Sequence, residues 1–225
     1  MSGYRAMVAD ASHLDTVRGD YDSMADRYAE FVRDPCNVEP FGRALIGVFA
    51  DLVRSHGNNM KVADVGCGPG HVTDLLDRLH LHARGIDLSP AMIELARRNR
   101  PDLAFDVGSI LDLDLADREL GGILAYYSII HTSPEHVPAA FAEFARVLTP
   151  SGYLLMAFQS GDDTLQTWEA FDHKVSPAYR WSIDALADRL RDEGFSEVAR
   201  LRVQPAPRGR FPDGLLLARK AEAAN

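Results

Sequence analysis

Apolar residues near the start of the chain recur at helical spacing. Between residues 13 and 31 they return every three or four positions, which predicts an amphipathic helix with Gly19 as a point where it could break. A second helix is predicted over about 39–56, ending at a Gly-Asn-Asn turn. We therefore expect residues 1–58 to form an N-terminal helical cap whose first ten residues are loosely held.

The pattern changes over residues 59–220, where short apolar runs alternate with amphipathic segments. Runs such as KVADVG and GGILAYYS have the length of buried strands, and segments such as SPAMIELARRN between them have helical periodicity. This alternation predicts a mostly parallel sheet with helices on both faces, in a single doubly wound α/β domain.

One connection inside this domain is unusually long. Residues 159–181 have little periodicity but contain Trp168, Phe171 and Tyr179. Long connections in compact domains are often functional, so we interpret this segment as a lid. His173 and Trp181 border it, and either could contact a substrate.

Composition and charge narrow the classes of partner. The 225 residues are 46% hydrophobic and 25% charged, as in soluble globular proteins, and 24 Lys and Arg against 33 Asp and Glu give a net charge of −9. A surface this acidic repels phosphate groups, which argues against nucleic acid or an anionic membrane as the partner. Two cysteines, Cys36 and Cys67, are too few for a disulfide framework, and without a signal-like or membrane-spanning run we expect a cytoplasmic protein.

The sequence VADVGCGPG is the strongest candidate for a binding loop. Its glycines Gly66, Gly68 and Gly70 allow a sharp turn and close approach of a ligand, and the positive end of the following helix points at them. Asp87 ends the next strand 21 residues after Gly66, where a carboxylate can accept hydrogen bonds from both hydroxyls of a ribose. The alternatives are that the glycines only form a tight turn and that Asp87 only caps the next helix, although Ser89 already suits that position.

These motifs resemble those of the class I S-adenosylmethionine-dependent methyltransferases, especially bacterial enzymes of specialised metabolism that act on small molecules. The similarity includes Asp64 two positions before the first glycine, the segments GIDLS, FDVGSI and ARVLTPSGYLLM, and it extends from about Val62 to Phe158. It implies a Rossmann-like, doubly wound seven-stranded sheet with the last strand antiparallel, in which EVARLRV and GLLLARK pair as a hairpin, plus the N-terminal helical cap.

The resemblance also implies that S-adenosyl-L-methionine is the cofactor, and it indicates where the cofactor binds. Tyr21 and Tyr28, seven residues apart on one helix face, would contact it, unless both belong only to the apolar stripe. Ser109 replaces an aspartate that the family often has at the adenine, but its hydroxyl can still form a hydrogen bond. The predicted cofactor-binding residues are Tyr21, Tyr28, Asp64, Gly66, Cys67, Gly68, Pro69, Gly70, Asp87, Leu88, Met92, Gly108, Ser109, Ile110 and Tyr126.

The segment AYYSIIH, after the fourth strand, is expected to face the transferred methyl group. We predict His131 as the base that removes the acceptor's proton, and Tyr127 beside Tyr126 as part of the substrate floor. A loop histidine and strand-end packing of the tyrosines are the alternatives. No metal is expected, because Asp162 and Asp163 lack the further oxygen ligands that a magnesium site needs.

The predicted function is transfer of a methyl group from S-adenosylmethionine to a small organic acceptor, aromatic or apolar because of the aromatic lid. One alternative is an NAD(P)-dependent reductase on a related fold, although no tyrosine has a lysine four positions later. Another is a catalytically inactive, S-adenosylmethionine-binding partner subunit. The acceptor, the methylated atom (O, N or C) and the oligomeric state, for which a homodimer is one option, are not determined by the sequence.

Overall fold

The computed structural model describes residues 2–32, 40–56, 59–162, 164–205 and 209–222. None of the helices in this part of the chain is long and apolar enough to cross a membrane. The elements, in chain order, are α1 (Ser2–Val32), α2 (Pro40–His56), β1 (Lys61–Val65), α3 (His71–Arg78), β2 (His82–Asp87), α4 (Pro90–Asn99), β3 (Ala104–Val107), β4 (Leu120–Tyr126), a 3-10 turn (Ile129–His131), α5 (Val137–Val147), β5 (Leu148–Gln159), β6 (Trp168–Phe171), β7 (Ala178–Trp181), α6 (Ile183–Asp192), β8 (Phe195–Val203) and β9 (Asp213–Lys220).

Seven of these strands form one sheet in the order β3-β2-β1-β4-β5-β9-β8. Strands β1 to β5 pair in parallel, whereas β9 is antiparallel to both β5 and β8. The predicted doubly wound seven-stranded sheet with an antiparallel last strand is therefore confirmed. The strand order reverses between β1 and β4, and in such sheets ligands bind beyond the strand ends at this reversal.

The core lies on both faces of the sheet. Helices α2 and α3 cover one face, and α5 and α6 cover the other. On the first face Gly122 of β4 lets Phe49 approach closely, since a Cβ there would lie 2.7 Å from the phenylalanine ring. Trp181, which the sequence suggested as a substrate contact, is 0% exposed in the core of the second face.

Helix α1 is longer than the helix predicted over residues 13–31, and it continues through Gly19 without a break. A single glycine lowers helix stability by only about 1 kcal/mol, which packing of the helix can offset. The helix is fixed to the start of α4, because the Asp22 carboxylate accepts hydrogen bonds from the Ser89 hydroxyl and the Ala91 N–H. In addition, Arg18 donates to the Leu88 carbonyl at 3.4 Å.

The predicted lid, residues 159–181, contains regular structure that the sequence pattern did not reveal. Strands β6 and β7 form a separate antiparallel pair with Trp168 opposite Trp181 and Phe171 opposite Ala178. The side chains of β6 are mostly exposed, so no alternation of apolar and polar residues marked the strand. The connection between the strands reaches the site, since the Pro177 carbonyl lies 3.0 Å from Nδ1 of His131.

Candidate active site

The glycine loop after β1 has left-handed backbone conformations at all three glycines. Gly66 has φ +78°, and a Cβ there would lie 2.2 Å from the Cβ of Ser128, so only glycine fits. Gly68 has φ +53°, but a Cβ on it would meet only the Tyr28 ring, at 3.7 Å. Gly66 is thus required by packing, whereas Gly68 leaves open space beside the loop.

This open space is part of a cleft between α1 and the ends of β1, β2, β3 and β4. We call it the loop cleft; it encloses about 790 Å³ including its part open to solvent. Its lining consists of Leu14, Val17, Arg18, Tyr21, Tyr28, Val65, Gly66, Gly68, Asp87, Leu88, Ser89, Gly108, Ser109, Ile110, Tyr126, Tyr127, Ser128, His131 and Thr132.

Asp87 organises the floor of the loop cleft. One carboxylate oxygen accepts the Gly68 N–H at 2.8 Å and the other accepts the Ser89 N–H at 2.9 Å. Burial raises the pKa of Asp87, while these N–H groups favour its charged form. A carboxylate has about four lone-pair sites, so acceptor capacity is left for ligand hydroxyls.

Helix α1 supplies two aromatic rings to the cleft. Tyr21 and Tyr28 contact each other edge to face, with ring centroids 5.7 Å apart, so the predicted shared face is confirmed. Burial raises the pKa of both hydroxyls, that of Tyr28 to about 12, so both are neutral at pH 7.

His131 lies at the edge of the same cleft with 8% of its surface exposed. Its Nδ1 donates to the Pro177 carbonyl at 3.0 Å, so Nε2 carries the lone pair and accepts the Tyr21 hydroxyl at 2.7 Å. Burial lowers the pKa of His131 to about 4, which keeps the ring neutral at pH 7. The imidazole is therefore hydrogen-bonded at both nitrogens.

A second space, the strand-end cavity, opens beyond the carboxyl ends of the strands. It encloses about 1040 Å³ including its part open to solvent and meets the loop cleft at the glycine loop and the tyrosines. Tyr127 stands at this junction with φ +58°, a rare conformation for a non-glycine residue that often marks functional sites. The cavity is lined by Tyr21, Tyr28, Asp64, Gly66, Cys67, Gly68, His71, Val72, Tyr126, Tyr127, Ile130, Gln159, His173 and Asp213.

Two predicted cofactor-binding residues reach the strand-end cavity and not the loop cleft. Asp64 is 1% exposed and accepts a hydrogen bond from the Thr73 hydroxyl at 2.7 Å, and burial raises its pKa to about 7. The Cys67 thiol packs against Ile93 and Phe105, and burial raises its pKa well above its usual range. Cys67 is thus a neutral thiol at pH 7 and unsuited to nucleophilic attack.

The structure brings most of the predicted residues together. Tyr21, Tyr28, Gly66, Gly68, Asp87, Leu88, Gly108, Ser109, Ile110, Tyr126, Tyr127 and His131 all line the loop cleft. Pro69, Gly70 and Met92 line neither space, so their contact with the cofactor stays a prediction. Gly70 serves packing instead, because a Cβ there would lie 2.9 Å from the Phe105 ring.

Sequence reasoning missed several lining residues. Leu14 and Val17 belong to the same helical stripe as Tyr21, so the period that identified the tyrosine could also have identified them. Gln159 and Asp213 had no such signal, since they meet only through the register of β5 against β9.

Metal-ligating groups do not converge in the described ranges. Among those residues no group of three or more His, Cys, Asp or Glu side chains is placed to hold a metal ion. Asp162 accepts hydrogen bonds from Thr164, and Asp163 lies outside the described residues. The expectation that no metal is needed therefore stays a prediction.

Comparison with known proteins agrees with this architecture. Residues 62–152 match a family model described as a methyltransferase domain. An uncharacterised methyltransferase of Oceanobacillus iheyensis is 27% identical over 63% of this chain and 65% of its own length. A trans-aconitate 2-methyltransferase of Methylobacterium nodulans is 31% identical over 61% of this chain and 53% of its own length. The chain thus spans less than two thirds of each of these curated relatives.

A solved structure has the same fold over nearly the whole chain. The 1,6-didemethyltoxoflavin-N1-methyltransferase of Burkholderia thailandensis, with bound 1,6-didemethyltoxoflavin and S-adenosylhomocysteine, superposes with a TM-score of 0.74 at 21% identity. The match covers 95% of this chain and 91% of that chain. Residues 62–152 thus carry a methyltransferase domain, and the chain has the fold of the class I S-adenosylmethionine-dependent methyltransferases.

Proposed function

We propose that the protein transfers a methyl group from S-adenosylmethionine to a small organic acceptor bound in the strand-end cavity. The observation that carries the proposal is the junction of the two spaces at Gly66, Gly68 and Tyr127. A nucleoside held by Asp87 in the loop cleft would extend its other end past the glycine loop to this junction. An acceptor in the strand-end cavity would meet it there.

The residues of the loop cleft fit S-adenosylmethionine. Asp87 has acceptor positions for the ribose hydroxyls, and Gly68 leaves space where the chain of the cofactor would pass. The Ser109 hydroxyl accepts the Leu111 N–H at 3.2 Å and retains its own hydrogen for a ring nitrogen of adenine. The Ser128 hydroxyl oxygen is buried without a hydrogen-bond partner in the described part of the chain, which is consistent with a ligand that supplies one.

When bound, S-adenosylmethionine would supply an electrophilic methyl group. A lone pair of the acceptor would form the new bond to the methyl carbon as the carbon–sulfur bond breaks in line, S-adenosylhomocysteine would be the leaving group, and the proton of an N–H or O–H acceptor would pass to solvent. The protein's contribution is to align the acceptor and to exclude water. We propose that Tyr127 forms part of the acceptor floor, since it stands at the junction. For His131 the contacts favour a positioning role over the predicted base, because its Nε2 already accepts the Tyr21 hydroxyl.

We propose a ring-containing acceptor. Tyr126 and Tyr127, with ring centroids 5.0 Å apart, and His173 line the cavity, and Phe171 backs His173 with centroids 6.0 Å apart. Aromatic rings favour other rings through stacked and edge-to-face contacts. The names of the relatives, which refer to trans-aconitate and to 1,6-didemethyltoxoflavin, also support a small organic acceptor.

Thermal-shift measurements with S-adenosylmethionine, S-adenosylhomocysteine and NADPH, followed by transfer of a tritiated methyl group to a panel of small acceptors, test the proposal. We expect stabilisation by both sulfur ligands, none by NADPH, and methyl transfer to at least one acceptor. Stabilisation by NADPH alone would support a reductase instead. Binding of S-adenosylhomocysteine with no transfer to any acceptor would support an inactive partner subunit.

A further inference from the structure

We infer that the methyl acceptor carries no net negative charge and that it presents an N–H or O–H group to the side chain of Gln159. The inference rests on the proposed function and names the class of substrate for the strand-end cavity. It follows from the charges that line this cavity and from a buried oxygen that lacks a partner.

The charged side chains in the lining are acidic. Asp64 and Asp213 line the strand-end cavity, and no Lys or Arg of the described residues does. The two histidines in the lining add no positive charge at pH 7, because burial lowers the pKa of His71 to about 4 and that of His173 below its usual range. An anionic acceptor would therefore enter the cavity without a protein cation to pair with it.

The basic residues near the lid do not add positive charge to the lining of the strand-end cavity. Lys174 follows His173 in the chain but does not line the cavity. Arg210 donates to the Asp172 carbonyl at 2.8 Å and lies over the Phe211 ring, 5.2 Å from its centroid. Neither the Lys174 ammonium group nor the Arg210 guanidinium group is therefore part of the lining of the strand-end cavity.

Gln159 is a polar residue of the cavity whose side-chain oxygen needs a hydrogen-bond donor. It ends β5 directly opposite Asp213 of β9, and opposed residues of an antiparallel pair project from the same face. Its Oε1 is buried and has no hydrogen-bond partner within the described ranges. A buried acceptor without a partner destabilises the protein, so a donor on the bound acceptor molecule would satisfy it.

His71, at the start of α3, adds a second unpartnered polar atom. Its Nδ1 is also buried without a partner among the described residues, and His71 lines the same cavity. A neutral ring with N–H or O–H groups satisfies such atoms without bringing in charge. Trans-aconitate, named in one relative, has three carboxylates, and a carboxylate buried without a cation is strongly disfavoured.

Matched pairs of acceptors test the inference. Uracil and orotate, indole and indole-2-carboxylate, and phenol and 4-hydroxybenzoate each differ by one carboxylate, and trans-aconitate is added as a fourth anion. Transfer of a tritiated methyl group is measured at pH 7.5, after calorimetry has confirmed that S-adenosylhomocysteine binds. We expect kcat/KM to be at least about tenfold higher for the neutral member of a reactive pair, and no transfer to trans-aconitate.

Variants test whether Gln159 contributes to the binding of neutral acceptors. Gln159→Leu keeps the size of the side chain and should raise KM for the neutral acceptor about tenfold, the loss typical of one hydrogen bond, with unchanged affinity for S-adenosylhomocysteine. Gln166→Leu, in the lid but outside the cavity lining, is the matched control and should change neither value.

Equal or preferred transfer to the carboxylated members overturns the inference, as does an unchanged KM in Gln159→Leu. Transfer to carboxylated members alone overturns it as well. A protein that does not bind S-adenosylhomocysteine, or that binds it and transfers no methyl group to any acceptor, neutral or anionic, contradicts the proposed function itself, so the two failures are distinguishable.

Discussion

The hydroxyl of Tyr21 donates a 2.7 Å hydrogen bond to Nε2 of His131, although the two residues are 110 positions apart. The same imidazole donates from Nδ1 to the Pro177 carbonyl. One side chain therefore joins helix α1 to the connection between β6 and β7, above the loop cleft. With both nitrogens engaged and the ring neutral, we expect His131 to position Tyr21 and not to accept a proton from the substrate.

Replacing His131 by glutamine tests this role. The glutamine amide can still accept the Tyr21 hydroxyl, so we expect kcat of His131→Gln to fall less than about tenfold. Removal of a general base would instead lower kcat by about 10²–10⁴-fold. The measurement is the initial rate of methyl transfer as a function of pH, with Tyr21→Phe as the partner variant.

The effects of replacing Tyr21 and His131 on binding should not add if both substitutions remove the same hydrogen bond. We expect Tyr21→Phe and His131→Leu to raise the dissociation constant of S-adenosylhomocysteine by similar factors, and the double variant to be little worse than either. A basic limb in the wild-type pH–rate profile that disappears in His131→Gln would contradict the positioning role and restore the base.

The contribution of the buried His131 to stability should fall as the solution is acidified. The pKa of His131 is about 4 in the folded protein, whereas unfolded histidine has a pKa near 6.5. Between these values the unfolded state binds more protons, so lowering the pH from 7 to 5 costs about 2 kcal/mol of unfolding free energy from this residue.

Urea titrations of wild type and His131→Gln at pH 7 and pH 5 isolate this contribution. The comparison is necessary because His71 adds a dependence of the same sign, whereas the raised pKa of Asp64 acts in the opposite direction. His82→Gln, which alters an exposed histidine, is the control. Identical pH dependence in wild type and His131→Gln would show that His131 titrates normally.

Asp87→Ala should weaken binding of S-adenosylhomocysteine by roughly 2–3 kcal/mol, since hydrogen bonds to a charged acceptor are strong. Calorimetric titration measures the loss, and thermal unfolding checks that the glycine loop, which Asp87 holds through the Gly68 N–H, is intact. Asp106→Ala, which removes an acidic residue paired with Arg84 outside the loop cleft, is the control. Unchanged affinity in Asp87→Ala would refute the ribose assignment.

Gly68→Ala should weaken cofactor binding at least about tenfold, because its Cβ would occupy the space beside the loop. Gly194→Ala is a closely matched control: Gly194 also has positive φ, +81° against +53°, and nothing lies within 4 Å of its added Cβ. Both variants should therefore have a similar cost in backbone strain. If both bind S-adenosylhomocysteine like wild type, the cofactor does not pass beside Gly68.

Methyl transfer should survive exhaustive treatment with EDTA. The described residues offer no group of three metal-ligating side chains, and the proposed chemistry needs no Lewis acid. The rate after chelation, compared with the rate after adding magnesium back, is the measurement. A loss of activity that magnesium restores would contradict the prediction and direct attention to Asp162 and its neighbour.

Local patterns were sufficient for most of the fold. The apolar runs identified the strands of the seven-stranded sheet, and helical spacing placed Tyr21 and Tyr28 on one face. They failed at β6 and β7, whose pairing leaves most of β6 exposed, and at Trp181, where an aromatic residue beside a long connection is fully buried.

The sequence by itself determined the glycine loop and Asp87 of the loop cleft, because glycines in a tight turn and an acidic residue at a strand end are local requirements that motif spacing records. Only the tertiary structure decided the strand-end cavity. Gln159 meets Asp213 through strand register, and His131 meets Tyr21 through the docking of α1. Contacts between distant segments depend on how whole elements pack, and burial by that packing, not the residue type, sets the charge state of His131.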